Sequence, residues 1–257
     1  MTLKYSTRAR DFMNEEGSYK QAFQNGRIEI YTGAQPATAD AAVQGTLLCT
    51  ITNNSLARTA EVLSTGTVTL STGASGSVDT VTVNGINILG ASVPFNTSLT
   101  QTAADVAAQI NNYMGFVSYT ATSSGAVVTI NAQPGTGASP NGFVVAATYT
   151  TITGATGNMA AGVTAVNGLL FGESVAGTLS KLASQVWSGV NAATGTAGWY
   201  RQYGSVADAG ALDTNLVFIR EDGAISTAGA ELNMASTALT IGATTTISGD
   251  TYTTPTL

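Results

Sequence analysis

Apolar residues recur at helical spacing in only two places along this chain and alternate with polar ones almost everywhere else. Between Ser6 and Phe23, Ala9, Phe12 and Met13 share a helical face, Gly17 interrupts it, and Ser18-Tyr-Lys-Gln21 has the form of a capping box. Two short helical turns are expected, stopped at Asn25-Gly26. Arg27-Ile-Glu-Ile-Tyr31 then alternates as a strand does, with Ile28 and Ile30 on one face. Thr32 to Ala42 is small, polar and proline-containing, which predicts a long loop before a second strand, Thr46 to Thr52. Inside that strand Cys49 falls on the face opposite Leu48 and Thr50, the place of a small core residue.

From about Val62 the texture changes. Thr67-Val-Thr-Leu-Ser71 alternates strictly, and Asp79 to Leu89 sets Asn84-Gly85 between two strands, the dipeptide that accepts the positive φ angles of a type I′ hairpin. Thr102 is the expected start of a helix in which Ala103, Val106, Ala107, Ile110 and Met114 recur at three and four residues, with Asp105 at the capping-box position. Phe116 to Ala121, Ala126 to Asn131 and Phe143 to Thr150 follow as strand candidates, so that residues 62–165 read as an inserted α+β module of order ββαβββ.

After Gly168 the character of the first sixty residues returns. Strand candidates are Gln185 to Gly189, Thr196 to Tyr203, Asn215 to Arg220, Glu231 to Met234 and Thr237 to Ile241. If these pair with the strands near Ile30 and Leu48, the fold is mainly β: a β-sandwich built from residues 1–61 and 166–257 and interrupted by the insert.

Composition narrows the chemistry. The 257 residues include no histidine, one cysteine and only 9% charged side chains. Histidine is the side chain that titrates near neutrality and the commonest transition-metal ligand, so its absence removes most acid–base and metal chemistry. A structural or binding protein is the first expectation. A sequence rich in Ala, Thr, Gly and Ser with few charges is the reverse of the disordered signature, and it leaves little repulsion between copies, so an ordered, self-associating homo-oligomer is expected. A net charge of −6 without a Lys/Arg cluster argues against nucleic acid. No apolar stretch approaches membrane-spanning length and no signal-peptide core follows Met1 to Arg10, so synthesis in the cytoplasm and no membrane partner are expected.

Two clusters invite a functional reading. Trp187, Trp199, Tyr200 and Tyr203, with Arg201 among them, could form an aromatic platform for a glycan or a subunit contact; the alternative is that alternating aromatics fill the core of a sandwich. Asp208, Asp213, Glu221 and Asp222 could suggest calcium, but no D-x-D-x-D-G spacing is present, and solvated loop charges are the expectation. Ser-His-Asp catalysis is excluded without histidine, and no G-x-S-x-G elbow, Ser-x-x-Lys pair or P-loop occurs. No catalytic residue, metal ligand or cofactor is assigned.

Three stretches carry a family likeness: Leu3 to Thr7, Gly26 to Ala42 with Gly45 to Ile51, and near the end Trp187-Ser-Gly189, Ala193 to Arg201 and Ala228 to Met234. In these the chain resembles a family of tailed-bacteriophage virion structural proteins, over about residues 1–60 and 166–257. The middle segment departs from the shorter members and is similar to threonine-rich modules of phage particles and bacterial surface proteins, in which a Val-Thr-Val-Asn-Gly hairpin precedes an alanine-rich helix. The resemblance implies a non-enzymatic virion protein, bound to the head as a decoration or cement protein and in contact with the major capsid protein. A tail, collar or fibre-base subunit contacting tail proteins is the alternative, and a host glycan- or receptor-binding module a further one. The ends, Met1 to Thr7 and Thr251 to Leu257, are the expected arms to neighbours.

Overall fold

The computed structural model describes residues 3–113 and 119–253. It opens with β1 (Lys4–Tyr5), α1 (Thr7–Asp11), a wide π-type turn (Phe12–Glu16), α2 (Tyr19–Phe23), β2 (Arg27–Thr32) and β3 (Leu47–Asn53). The middle holds β4 (Thr65–Thr72), β5 (Ser77–Val83), β6 (Ile86–Asn87), β7 (Val93–Pro94), α3 (Leu99–Asn112), β8 (Thr120–Ser124), β9 (Val127–Asn131), β10 (Val145–Thr150) and β11 (Thr153–Ala160). Then come β12 (Thr178–Ser180), β13 (Trp187–Val190), β14 (Gly195–Tyr203), β15 (Arg220–Ser226), β16 (Leu232–Asn233), β17 (Ala238–Leu239), β18 (Thr244–Ile247) and β19 (Thr251–Thr253). The fold is mainly β, and it divides into two compact units, residues 1–61 with 165–257 and residues 62–164.

In the first unit, strands from both ends of the chain interleave in one sheet of order β1-β15-β14-β2-β3-β13-β18, with β16 and β17 attached to β15 and β14. Helices α1 and α2 form where the apolar spacing predicts them. Ser6 caps α1 by accepting from the Ala9 amide, and Ser18 and Gln21 make a complete capping box on α2. Ala9, Phe12, Ala22 and Phe23 bury with Ile28, Ile30, Cys49 and Ile51 in one core, which also takes in Phe171, Leu179 and Trp187. The layer on this face therefore combines the N-terminal helices with the two-stranded ribbon β12–β19, whose Tyr252 stacks on Tyr19 at 4.1 Å between ring centroids.

The second unit is a small sandwich. Sheet β10-β5-β6, with β7 beside β5, and sheet β11-β4-β9-β8 contribute Val78, Val81, Val83 and Val145 on one side and Val68, Leu70, Val128 and Ile130 on the other to one core, closed by Ala103, Val106 and Ile110 of α3. Here the structure corrects two sequence expectations. Ser98, not Thr102, caps the helix: its hydroxyl accepts from the Gln101 amide, while Thr102 lies buried in the first turn and donates to the Ser98 carbonyl. A further strand, β11, extends the expected ββαβββ order; Thr-Gly-Ala-Thr-Gly-Asn-Met-Ala has almost no apolar alternation, and its pairing with β4 is what makes it a strand. Met114 and residues 116–118 of an expected strand lie outside the described residues, as do residues 1–2 and 254–257 of the expected arms.

Two glycines test the backbone argument. Asn84 and Gly85 take φ angles of 50° and 80°, the type I′ pair, and nothing stands within 4 Å of a side chain at Gly85. Gly85→Ala is expected to destabilise by about 1–2 kcal/mol through left-handed backbone strain alone. Gly45, at φ +84°, would set a Cβ 2.1 Å from the Thr32 carbonyl oxygen, so Gly45→Ala must cost more. Equilibrium denaturation of the two variants gives the ranking, and equal losses would refute the steric part of the argument.

Candidate functional site

The central sheet of the first unit has two unlike faces, and strand alternation creates both. Along β14, Tyr200 and Gln202 face the helices and the apolar core, whereas Trp199, Arg201 and Tyr203 face the other way. Register then assembles a polar face. Arg201 lies between Glu29 of β2 and Asp222 of β15, Tyr203 between Arg27 and Arg220, and Trp199 between Tyr31 and Ala224.

Two buried ion pairs dominate this face. Arg201 donates through Nε and Nη2 to the two carboxylate oxygens of Asp222 at 2.6 and 2.7 Å, with both side chains fully buried. Arg220 holds Asp208 the same way at 2.6 and 2.8 Å. Each guanidinium also reaches the irregular segment after β2: Arg201 Nη1 donates to the Ala41 carbonyl at 2.9 Å, and Arg220 Nη1 to the carbonyls of Ala39 and Asp40 at 3.4 and 3.3 Å. The Asp40 carboxylate in turn accepts from the amide and hydroxyl of Thr7, and the Asp40 carbonyl from the Asp213 amide. Burial pulls the Arg201 guanidinium toward neutrality, but its bonds to Asp222 outweigh that and hold it charged above the ordinary arginine value.

The aromatic platform is therefore corrected. Trp187, Trp199, Arg201 and Tyr203 are fully buried and Tyr200 is 6% exposed, so none offers a ring face to a glycan or a subunit. Trp199 stacks on Tyr31 at 4.7 Å beneath Arg201, whereas Trp187 sits on the opposite face, edge-on to Phe171. The carboxylates are corrected too: Asp208, Asp213, Glu221 and Asp222 are not solvated loop charges but buried groups. Asp208 and Asp222 are ion-paired, Asp213 accepts from the Phe218 amide, and Glu221 accepts from the Tyr200 hydroxyl. Among the described residues no group of three or more His, Cys, Asp or Glu could hold a metal ion. The Cys49 thiol is buried, and burial pushes its pKa up to about 11, away from the reactive thiolate.

Glu221 lies on the apolar face. Burial, against the relief of hydrogen bonds from Tyr200, Tyr19 and Tyr5, raises its pKa to about 7, with the nearby Asp250 charge adding to the rise. Burial likewise raises Asp250 to about 6. The arrangement encloses among phenols in the core a carboxyl that titrates near neutrality.

A concave site remains on the polar face. A cleft of about 550 Å³ is lined by Arg27, Arg58, Thr50, Leu56, Val190 and Ala207, among others. Arg27 donates Nε to Glu29 and Nη2 to the Asp208 carbonyl, with its guanidinium 3.9 Å from the Tyr203 ring centre. Arg58 donates to the carbonyls of Asn25, Gly204 and Ser205. Burial and the charge of Arg27 lower its pKa to about 10. The Nη1 atoms of both arginines have no partner among the described residues, so the cleft can take an anionic group. Sequence reading singled out neither arginine, because Arg27 and Arg58 stand 31 positions apart and only the bend through Asn54 and Ser55, both at positive φ, returns Arg58 to the start of β2.

No protein-family model, curated protein or solved structure matches this chain. No helix among the described residues is long and apolar enough to cross a membrane.

Two measurements test the buried groups. Arg201→Met strands Asp222 and is expected to cost about 3–5 kcal/mol in denaturant. Adding Asp222→Leu should recover part of that loss, while amides near Ala41 still exchange faster than in the wild type. Failure of the single variant to destabilise would remove the pair from the account. For Glu221 the sign is acid-favouring: a folded pKa raised above 4.5 to about 7 gives stability that is complete below about 4.5 and lost as pH rises through 7. The melting temperature should fall across that window, and fall less in Glu221→Gln; identical pH profiles would contradict it.

Proposed function

We propose that this chain is a non-enzymatic structural protein of a tailed-bacteriophage virion, carried on the head as a capsid decoration or cement protein. The observation that supports it best is where the charges sit. In a sequence with 24 charged side chains in 257 residues, Arg201, Asp222, Arg220, Asp208, Glu221 and Glu61 are buried inside one unit, where they hold backbone and phenols. The exterior is mainly Thr, Ser, Ala and Gly with isolated aliphatic residues such as Val186, Val190 and Ile241, and its exposed charges, among them Arg10, Asp11, Glu15, Glu173 and Glu231, are sparse. A surface of that kind favours many modest contacts repeated by symmetry.

The sheet termini support the same reading. Among the described residues strand β18, Thr-Thr-Thr-Ile, ends the sheet paired with β13 alone, and a groove of about 350 Å³ lined by residues of 233–240 and 243–249 runs beside it. An exposed strand end next to a groove suits addition of an extended segment from a neighbour. The family likeness of residues 1–60 and 166–257 falls on the strands that build this sheet. The glycan-binding alternative has lost its support, because the rings it needs are core residues.

The test uses phage particles that encode this chain, with and without its gene. Particles lacking it are expected to release DNA at lower temperature, and purified protein added back should sediment with heads and restore the release temperature. Sedimentation with tails alone would move the protein to the tail reading, and absence from purified particles would overturn the virion role.

A further inference from the structure

The strongest unassigned feature is the Arg27–Arg58 cleft, and its chemistry is matched elsewhere on the same unit. Residues 171–181 form a narrow hairpin: the amide and carbonyl of Val175 bond to the carbonyl and amide of Thr178 at 2.9 Å, with Ala176 and Gly177 between them at φ 49° and 77°. Those are the angles of a tight type I′ turn, so the tip is fixed by its own backbone. It presents an acid and an aliphatic group together. Among the described residues the Glu173 side chain, 95% exposed, has an ion-pair partner in Lys20 at 3.4 Å, and Val175, at 71%, is the most exposed of the large hydrophobic residues.

We propose that the Arg27–Arg58 cleft receives the Glu173–Val175 hairpin tip of a second copy of this chain, a head-to-tail contact that rests on the assembly reading above. The two arginines offer their unpartnered Nη1 donors to the carboxylate, and Leu56, Val190 and Ala207 give the valine an apolar wall. The occupant follows from charge and from placement. Two guanidiniums stand together at this cleft; Glu29, paired with Arg27 at 2.7 Å, and Glu61 offset part of their charge, and each guanidinium keeps an Nη1 donor to offer. An acidic tip is the complement of those remaining donors. The tip packs near Tyr19 and Tyr252 on the helix-covered face of the sheet, whereas the cleft opens beside Thr50 and Arg27 on the opposite face. One chain therefore cannot close this contact on itself. Copies joined this way form an open chain or a ring, according to the rotation per step.

Charge exchange tests it on the full-length protein by sedimentation velocity over a concentration series, with far-UV circular dichroism as the folding control. Wild type is expected to associate. Glu173→Lys, which loses only an exposed ion pair within its own chain, and Val190→Asp, at a residue 55% exposed, should each weaken association by on the order of tenfold or more. The double variant should regain it, because the ammonium introduced at the tip of one copy then meets the carboxylate introduced in the cleft of the next. Leu56→Asp replaces Val190→Asp if the latter perturbs the strand. A monomeric wild type, single variants that still associate, or a folded double variant that does not recover would each overturn the contact. Mass spectrometry of purified particles keeps the two readings apart: protein present in particles without this self-association sinks the contact alone, and protein absent sinks the virion reading.

Discussion

The first unit depends on two arginines that stand between a sheet and the irregular segments covering it. Backbone carbonyls at Ala39 and Ala41 have no strand to pair with, and a carbonyl shielded from water without a donor costs free energy comparable to a lost hydrogen bond. Arginine solves this where lysine would not, since its planar fork can hold a carboxylate at two points and still extend a third donor. Arg201 and Arg220 do so from neighbouring strands, with Asp222 and Asp208 neutralising them. A buried ion pair is seldom a large net source of stability; what it supplies here is direction, fixing which loop lies on which strand. Segment 33–45 and the stretch from Asp208 to Phe218 are ordered through the same network, which also reaches Thr7 at the start of α1.

The alternating strands were legible in the sequence because their period is set by the pleat. Arg27–Thr32, Leu47–Asn53 and Gly195–Tyr203 fall within a residue or two of where alternation puts them, and the Asn84-Gly85 turn and Ser18 capping box form as their residue types require. The late strand was misplaced for a physical reason. Asn215 to Arg220 has the apolar residues, yet Leu216 is at positive φ and Val217 is half exposed, and the strand is instead Arg-Glu-Asp-Gly-Ala-Ile-Ser, from Arg220 to Ser226. Charges at Arg220, Glu221 and Asp222 look like a loop until their partners, Asp208, Tyr200 and Arg201, are brought beside them by tertiary pairing. Alternation still held a clue, with Arg220, Asp222 and Ala224 on one face and Glu221, Gly223 and Ile225 on the other. The Arg27–Arg58 cleft gave no local signal at all, because it is made by a chain reversal.

Internal use of charge and a sparsely charged exterior belong to the same design. Each carboxylate or guanidinium turned inward to order a loop is one fewer on the surface to repel a neighbour. What remains outside includes a threonine-edged sheet, scattered aliphatics, a few charges such as Arg10, Asp11, Glu15 and Glu231, and a hairpin with a single acid at its tip. These features fit a component that works through contacts with copies and partners, and the buried Glu221 and Cys49 fit one whose titratable groups are enclosed rather than displayed to a substrate.

The most direct test is a cryo-EM reconstruction of intact particles, traced by Trp187, Trp199 and the helix over Leu99–Asn112. The account predicts this chain on the head lattice, with Arg201–Asp222 and Arg220–Asp208 closed within each protomer. Particles without this density, or Arg201 and Arg220 paired with carboxylates of a neighbouring protomer instead of their own Asp222 and Asp208, would contradict it.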